Sequence, residues 1–300
     1  MKETKRYDEL IAKEAQHWGA VRHDPQNPQI WHDQGLFDIF FGREYERFVD
    51  RACSFGPRVL ELGCGEGNLS VELAARGMRV MAIDLSADRI ERARKRAEGL
   101  NLGVQPTWIV ADLNTFSLPE SQFDCVVAHD SLHHVLHLDK VCESVRTALV
   151  PGGHFVVMDY VGMGVARKLL LGFLYAVLPT YQPYSMKWRL RKRFPGFLAS
   201  EEKKRKSLEQ ESEKALHQDS PFEEMSQQSI IREITHRFNV LEKQSFCPFW
   251  FYLAAKIRLP LSWKYPVARF FRSFDDLLVR ARIARGAYVF IVAQKMTSAK

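Results

Sequence analysis

The stretch that most constrains this chain is Val59-Leu60-Glu61-Leu62-Gly63-Cys64-Gly65-Glu66-Gly67-Asn68, where an apolar run passes straight into a glycine-rich turn. A short apolar run closed by a turn reads as a buried strand. Glycines at alternate positions let the backbone turn tightly and bring its N–H groups against a ligand that a Cβ atom would push away. A helix beginning near Asn68 would aim its first amides at the same spot, which favours a carboxylate or a phosphate. The spacing is GxGxG, not the GxGxxG of dinucleotide folds, because Asn68 holds the third glycine's place and Gly67 comes one residue early.

Three further apolar runs end in polar residues. Val80-Met81-Ala82-Ile83-Asp84 closes on a carboxylate at the distance where nucleoside-binding α/β folds set an acid on the ribose hydroxyls. Trp108-Ile109-Val110-Ala111-Asp112-Leu113 carries a second acid, suited to an exocyclic amine such as adenine N6. Phe123-Asp124-Cys125-Val126-Val127-Ala128 opens into His129-Asp130-Ser131-Leu132-His133-His134-Val135. Four strand ends thus bring polar groups to one edge, and the strand–helix alternation implies a parallel, doubly wound α/β sheet with its ligand at the carboxyl ends of the strands.

In order and spacing, Glu61 to Gly67, Ile83-Asp84, Ala111-Asp112-Leu113, Ser131-Leu132-His133-His134 and Leu149-Val150-Pro151-Gly152-Gly153 resemble the class I S-adenosylmethionine (SAM)-dependent methyltransferases, most closely the small-molecule O- and N-methyltransferases of the ubiquinone-biosynthesis type. The resemblance implies a mostly parallel seven-stranded sheet of order 3-2-1-4-5-7-6, its last strand antiparallel, with helical lid insertions. It also implies a cofactor, SAM. Gly63, Gly65 and Gly67 would admit the methionine portion with Glu61 near its amino group. Asp84 and Leu85 would bind the ribose, Asp112 and the Leu113 amide the adenine, and His129 would line the cleft. Either His133 or His134 would be the base; in the family the second His of the pair is the common one. No metal is expected: His129, His133 and His137 have helical i, i+4, i+8 spacing, but a strand end leaves His129 off such a helix.

The flanks divide the chain further. Tyr7, Leu10, Ile11, Ala15 and Trp18 mark an amphipathic helix, and Phe37, Phe40, Phe41, Tyr45 and Phe48 a second, so 1–50 reads as N-terminal helices covering the cleft. The core spans 51–160, with Pro151-Gly152 as the turn into its fifth strand and Gly99 as the residue closing the helix that Ser86 caps. Residues 161–225 read as a helical lid, whose ten-residue apolar run 169–178 is too short to cross a bilayer. The end of the sheet occupies 226–300, interrupted by an insertion at 246–285 in which Val267, Phe270, Phe271, Phe274, Leu277 and Leu278 recur at helical spacing among five arginines. Two readings compete there: an apolar face packed on the lid, or a contact with a membrane surface or an apolar acceptor with an anionic head.

Charge sharpens the contrast. Residues 1–160 hold 18 Lys/Arg against 24 Asp/Glu, a net of −6, while 161–300 hold 25 against 12, a net of +13. A basic half beside an acidic one points to an anionic acceptor, a membrane surface or nucleic acid. Nucleic acid is disfavoured, since no RNA-binding module is recognisable and His129-Asp130-Ser131-Leu132 stands where nucleobase N-methyltransferases carry an NPPY-like tetrapeptide. Five cysteines without CxxC spacing read as buried thiols of a cytoplasmic protein, and no secretory signal is visible, so a cytoplasmic or peripheral membrane location is expected. The expected activity is methyl transfer from SAM to an oxygen or nitrogen of a small molecule. The alternatives are a lipid or lipid-linked saccharide acceptor at a membrane, RNA methylation, and a SAM-binding protein without activity.

Overall fold

In a computed structural model of the chain, residues 2–20, 29–184, 227 and 229–296 are described. Residues 185–225 of the expected lid lie outside them. Seven strands form one sheet in the order β3-β2-β1-β4-β5-β7-β6. They are β1 (Arg58–Leu62), β2 (Arg79–Asp84), β3 (Thr107–Val110), β4 (Phe123–His129), β5 (Leu149–Tyr160), β6 (Phe238–Phe246) and β7 (Tyr288–Lys295). The first five run parallel, and β7 is antiparallel to both β5 and β6. This is the strand order expected from the resemblance.

Helices cover both faces. Ahead of the sheet come α1 (Lys2–Ala20), α2 (Gln34–Phe37), a π-helical turn at Asp38–Gly42 and α3 (Arg43–Ser54). Between strands lie α4 (Asn68–Ala75), α5 (Ala87–Glu98) and α6 (Leu138–Ala148). After β5 come α7 (Val165–Val177), α8 (Ile230–Arg237), α9 (Phe251–Ala254) and α10 (Leu261–Arg280). The strands of the middle are apolar on both sides because both sides are covered: Val59, Val127 and Val156 face a cluster with Phe40, Phe41 and Phe48, and Leu60, Val126 and Phe155 face one with α6 and α8. Burying such side chains contributes about 1.5–3 kcal/mol each relative to exposure, so this two-layer core holds the strand ends in place.

One local expectation needs correction. Pro151-Gly152 is not a turn ahead of β5: the strand starts at Leu149, and the pair sits at a shift in its register with β4, where Gly152 takes a left-handed φ of 74°. A bulge accommodates the missing proline N–H that a regular ladder would need. Gly99 does close α5, with a right-handed φ of −75°, and Ser86 caps its start.

Part of the apolar face of α10 meets the described part of the expected lid, where Phe271 packs on the cluster that holds Leu171 of α7. The buried side of α10 joins Ala268 to Arg272 and Asp275 and docks on the N-terminal segment: Arg272 donates to Glu44 Oε1 at 2.8 Å and to the Phe40 carbonyl. Phe271 stacks on Trp250 with ring centroids 4.0 Å apart, but Trp263, Phe270, Phe274 and Leu277 are exposed. The whole excursion leaves and rejoins the sheet at one point, because Phe246 and Tyr288 are paired across β6 and β7. Gly286 lets the two ends touch, since a Cβ there would lie 2.1 Å from the Phe246 nitrogen.

Candidate active site

The edge where β1, β2, β4 and β5 finish gathers the polar residues singled out from the sequence. Gly63, Gly65 and Gly67 all adopt left-handed φ, at 69°, 53° and 73°, which other residues enter only at a cost. A Cβ on Gly63 would lie 2.5 Å from that of Ser131, and one on Gly67 would strike Trp108 at 2.5 Å. The loop is therefore locked between β4's continuation on one side and β3 on the other. Asp84 closes it: its Oδ2 accepts from the Gly65 amide and its Oδ1 from the Ser86 amide, both at 2.8 Å. Leu85, between Asp84 and the N-cap Ser86, is half-buried.

Glu61 lies under the loop at 3% exposure, bonded to the Ser70 hydroxyl of α4. Burial, with the nearby Asp84 charge adding to it, pushes its pKa up to about 8. A buried carboxyl with so costly a charge is stabilised by any cation brought to the loop. An α-ammonium group is such a cation. The glycine cradle, Glu61 and Asp84 thus form a donor set that fits the amino-acid end and the ribose of an adenosyl sulfonium.

Asp112 is already engaged. Its Oδ1 accepts from the backbone and side chain of Asn114 at 2.9 and 2.8 Å, and its Oδ2 accepts from the hydroxyl of Tyr7 on α1. Burial and the adjacent Asp112 raise the Tyr7 pKa well above normal, so the phenol stays a donor. Leu113 packs its side chain against the core cluster that holds Leu132 and Val135. Tyr7 was not among the expected site residues. Nothing local signals it, since it reaches a partner 105 residues away.

The histidines separate clearly. His129 ends β4 with its ring against Tyr45 and Phe48, at 5.3 and 5.7 Å between centroids, and burial lowers its pKa. His133 sits in a 3-10 turn (Leu132–His134) with its Nδ1 2.6 Å from Asp159 Oδ1. Asp159 is fully buried at the end of β5 and also accepts from the Ser131 and Leu132 amides at 3.0 and 2.7 Å. Burial alone would raise its pKa, but the His133 charge, the bond to it and the two amides outweigh burial and hold the carboxyl below its usual range. His134 turns to α1, 3.4 Å from Glu14, with its ring edge-on to Trp18. His137 precedes α6 as its N-cap, so the three histidines of helical spacing do not share a helix.

Asp159, like Tyr7, belongs to this edge without having been singled out from the sequence. For Asp159 the signal was present, because Met158-Asp159 repeats the pattern of a strand ending in an acid that had singled out Asp84 and Asp112. Asp130, His133 and Asp159 offer donor atoms within 4.8 Å of one another, a grouping that could take a divalent cation. The 2.6 Å separation of Nδ1 and Oδ1 is that of a charge-assisted hydrogen bond.

Comparison with known proteins falls on this region. Residues 59–153 match the family model described as a methyltransferase domain. That stretch of the chain is a methyltransferase domain by this match. An uncharacterised methyltransferase of Mycobacterium tuberculosis is 34% identical to the domain over 125 residues, 39% of this chain and 58% of that protein. The ubiquinone/menaquinone biosynthesis C-methyltransferase of Methylococcus capsulatus is 31% identical over 41% of this chain and 52% of its own length. The chain thus spans about half the length of the curated relatives it matches. Among solved structures, the geranyl diphosphate C-methyltransferase of Streptomyces coelicolor A3(2) shares the fold, with a TM-score of 0.50 at 16% identity, covering 85% of this chain and 76% of that one. The regions flanking the methyltransferase domain, including α1 and the α9–α10 excursion, lie outside the family match.

Proposed function

We propose that the protein is a SAM-dependent methyltransferase acting on a small molecule. The observation that carries this reading is the cradle itself: three left-handed glycines pinned by Asp84 above a buried Glu61, in a domain whose relatives are methyltransferases. Bound SAM would supply an electrophilic methyl group on a sulfonium. Gly63, Gly65 and Gly67 would leave room for its methionine portion, Glu61 would offset the charge of its amino group, and Asp84 beside Leu85 would meet the ribose. Asp112 and the Leu113 amide would hold the adenine, with Tyr7 of α1 closing over that end and His129 lining the cleft.

Methyl transfer requires an acceptor atom held in line and relieved of one proton. Of the two candidate histidines, we assign the base to His133. Ionised Asp159 keeps the proton of the neutral imidazole on Nδ1, which makes Nε2 the nitrogen that accepts a further proton. The first reading is an oxygen or nitrogen acceptor, from which this base would take the proton as the bond to carbon forms. His134, paired with Glu14, would position α1 over the site. Carbon as the acceptor is the second reading, favoured by the C-methyltransferase from Methylococcus capsulatus.

Calorimetry with SAM and with NAD tests the cofactor, and tight NAD binding without SAM binding would overturn the proposal. Transfer of labelled methyl from SAM into a cell extract, with the product identified by mass spectrometry and NMR, then names the acceptor and the methylated atom. In single turnover, Asp159→Asn should slow the chemical step by about 10²–10⁴-fold, the usual worth of an acid–base group. Its SAM affinity should stay within a few-fold of the parent. An unchanged rate in both His133→Ala and Asp159→Asn would remove the base assignment.

A further inference from the structure

The methyl-transfer reading leaves α10 unexplained, and that helix turns a whole stripe of its large apolar side chains outward. Trp263, Phe270, Phe274 and Leu277 fall on one stripe by helical spacing, and they are 65, 67, 42 and 59% exposed. The opposite side carries Arg272 and Asp275, both buried and bonded into the protein. An apolar helix face ordinarily makes the core contact, so a helix held by a buried ion pair with its aromatic residues outward presents those residues to something else.

The charges around the stripe define what that is. Between residues 261 and 285 the acidic residues are Asp275 and Asp276, and both are turned inward: Asp275 accepts from the Trp250 amide, and Asp276 pairs with Arg272 at 3.1 Å and with Arg43 at 3.6 Å. Arg269, Arg280, Arg282 and Arg285 are exposed. Every exposed charge on this segment is therefore positive, beside aromatic and aliphatic side chains. The neighbouring helix repeats the pattern. α7 packs Leu171 and Leu174 against Phe249, Leu253 and Phe271 of the excursion, while Phe173 and Val177 point outward at 62 and 51% exposure.

From this we infer that α10, with α7 beside it, is a docking surface for an anionic lipid bilayer. The aromatic stripe enters the boundary between headgroups and acyl chains, and the arginines meet the lipid phosphates. A second copy of the chain is a poorer occupant, because pairing the stripes would bring like-charged arginines together. No helix among the described residues is long and apolar enough to cross a membrane, so the contact is peripheral. The inference does not depend on methyl transfer.

Flotation of the full chain with phosphatidylcholine vesicles, and with vesicles that also contain phosphatidylglycerol, tests it. The protein should float with the anionic vesicles, and binding should weaken as salt is raised. Phe270→Ser with Phe274→Ser, both at exposed positions, should reduce partition at least about tenfold, by loss of two interfacial aromatic rings. Arg269→Glu with Arg280→Glu should reduce it about tenfold or more. Near-ultraviolet circular dichroism and SAM calorimetry on the same samples separate loss of docking from loss of fold or cofactor binding. Absence of flotation overturns the inference, as does equal partition of parent and variants. Self-association in sedimentation that the Phe variant abolishes would assign the stripe to a second copy and overturn it as well.

Discussion

Glu61 stores a pH dependence that its variant should reveal. Its pKa is raised to about 8 in the folded protein, against about 4.3 in an unfolded chain. The folded state therefore holds the proton through that window, and stability falls as pH rises from about 4 to about 8, by at most about 1.4 kcal/mol per unit. Glu61→Gln keeps an acceptor for Ser70 and removes the charge. In urea unfolding the parent without ligand should lose stability between pH 5 and pH 8 more steeply than the variant, which should be the more stable of the two at pH 8. SAM should bind the variant more weakly. Equal slopes would mean that Glu61 is ionised throughout.

At this scale the sequence was informative wherever function coincides with a strand end. Gly63, Gly65, Gly67, Asp84 and Asp112 announce themselves by position after apolar runs. Which histidine meets which acid did not, because His133 and Asp159 are brought together by the pairing of β4 with β5, a relation between strands that residue order alone does not display. Tyr7 is the extreme case. A tyrosine on an amphipathic helix carries no sign that its hydroxyl leaves the helix surface for a carboxylate beyond β3.

Among the elements, α10 is where periodicity said least, and the reason is a partner. Spacing of Phe270, Phe274 and Leu277 identifies a face but not its destination; the buried Glu44 at 2% exposure decides it, by requiring a cation from the opposite face. Arg272→Ala would leave that carboxylate with the exposed Arg43 at 2.6 Å and the side-chain amide of Gln244 at 3.4 Å among the described residues. Removing one partner of a buried pair costs about 3–5 kcal/mol, and Arg43 should hold the loss near the lower end. Replacing both, as Arg272→Met with Glu44→Leu, should cost less than the single change. Denaturant midpoints for the two single variants and the double complete the cycle; strict additivity would show the pair to be uncoupled. β5 is the other instructive element. Pro151 and Gly152 argued for a turn by composition, yet a parallel strand tolerates both where its register slips.

For the molecule as a whole, the sheet was the most legible feature. Alternating apolar runs and charged helices leave few ways to wind a parallel sheet, and the glycine loop fixes which edge binds. The relation of the flanks to that sheet was legible only in part: the phenylalanine face of 37–48 packs on the sheet, but contacts such as Tyr7 with Asp112 and Arg272 with Glu44 leave no sign in the residue order. Ligand binding should register globally. SAM at about a hundred times its dissociation constant should stabilise the folded chain by about 2.7 kcal/mol, visible as a rise in the thermal midpoint that NAD does not produce. An unshifted midpoint at that concentration would count against the cradle.

The meeting of Phe246, Gly286 and Tyr288 has a consequence for how such a chain can change. Everything from 247 to 287 hangs from one stitch between two neighbouring strands, so a longer, shorter or wholly different excursion could be spliced in without moving a single rung of the ladder. The surface that the excursion presents could then drift from one descendant to another while the glycine cradle after β1 stayed as it was.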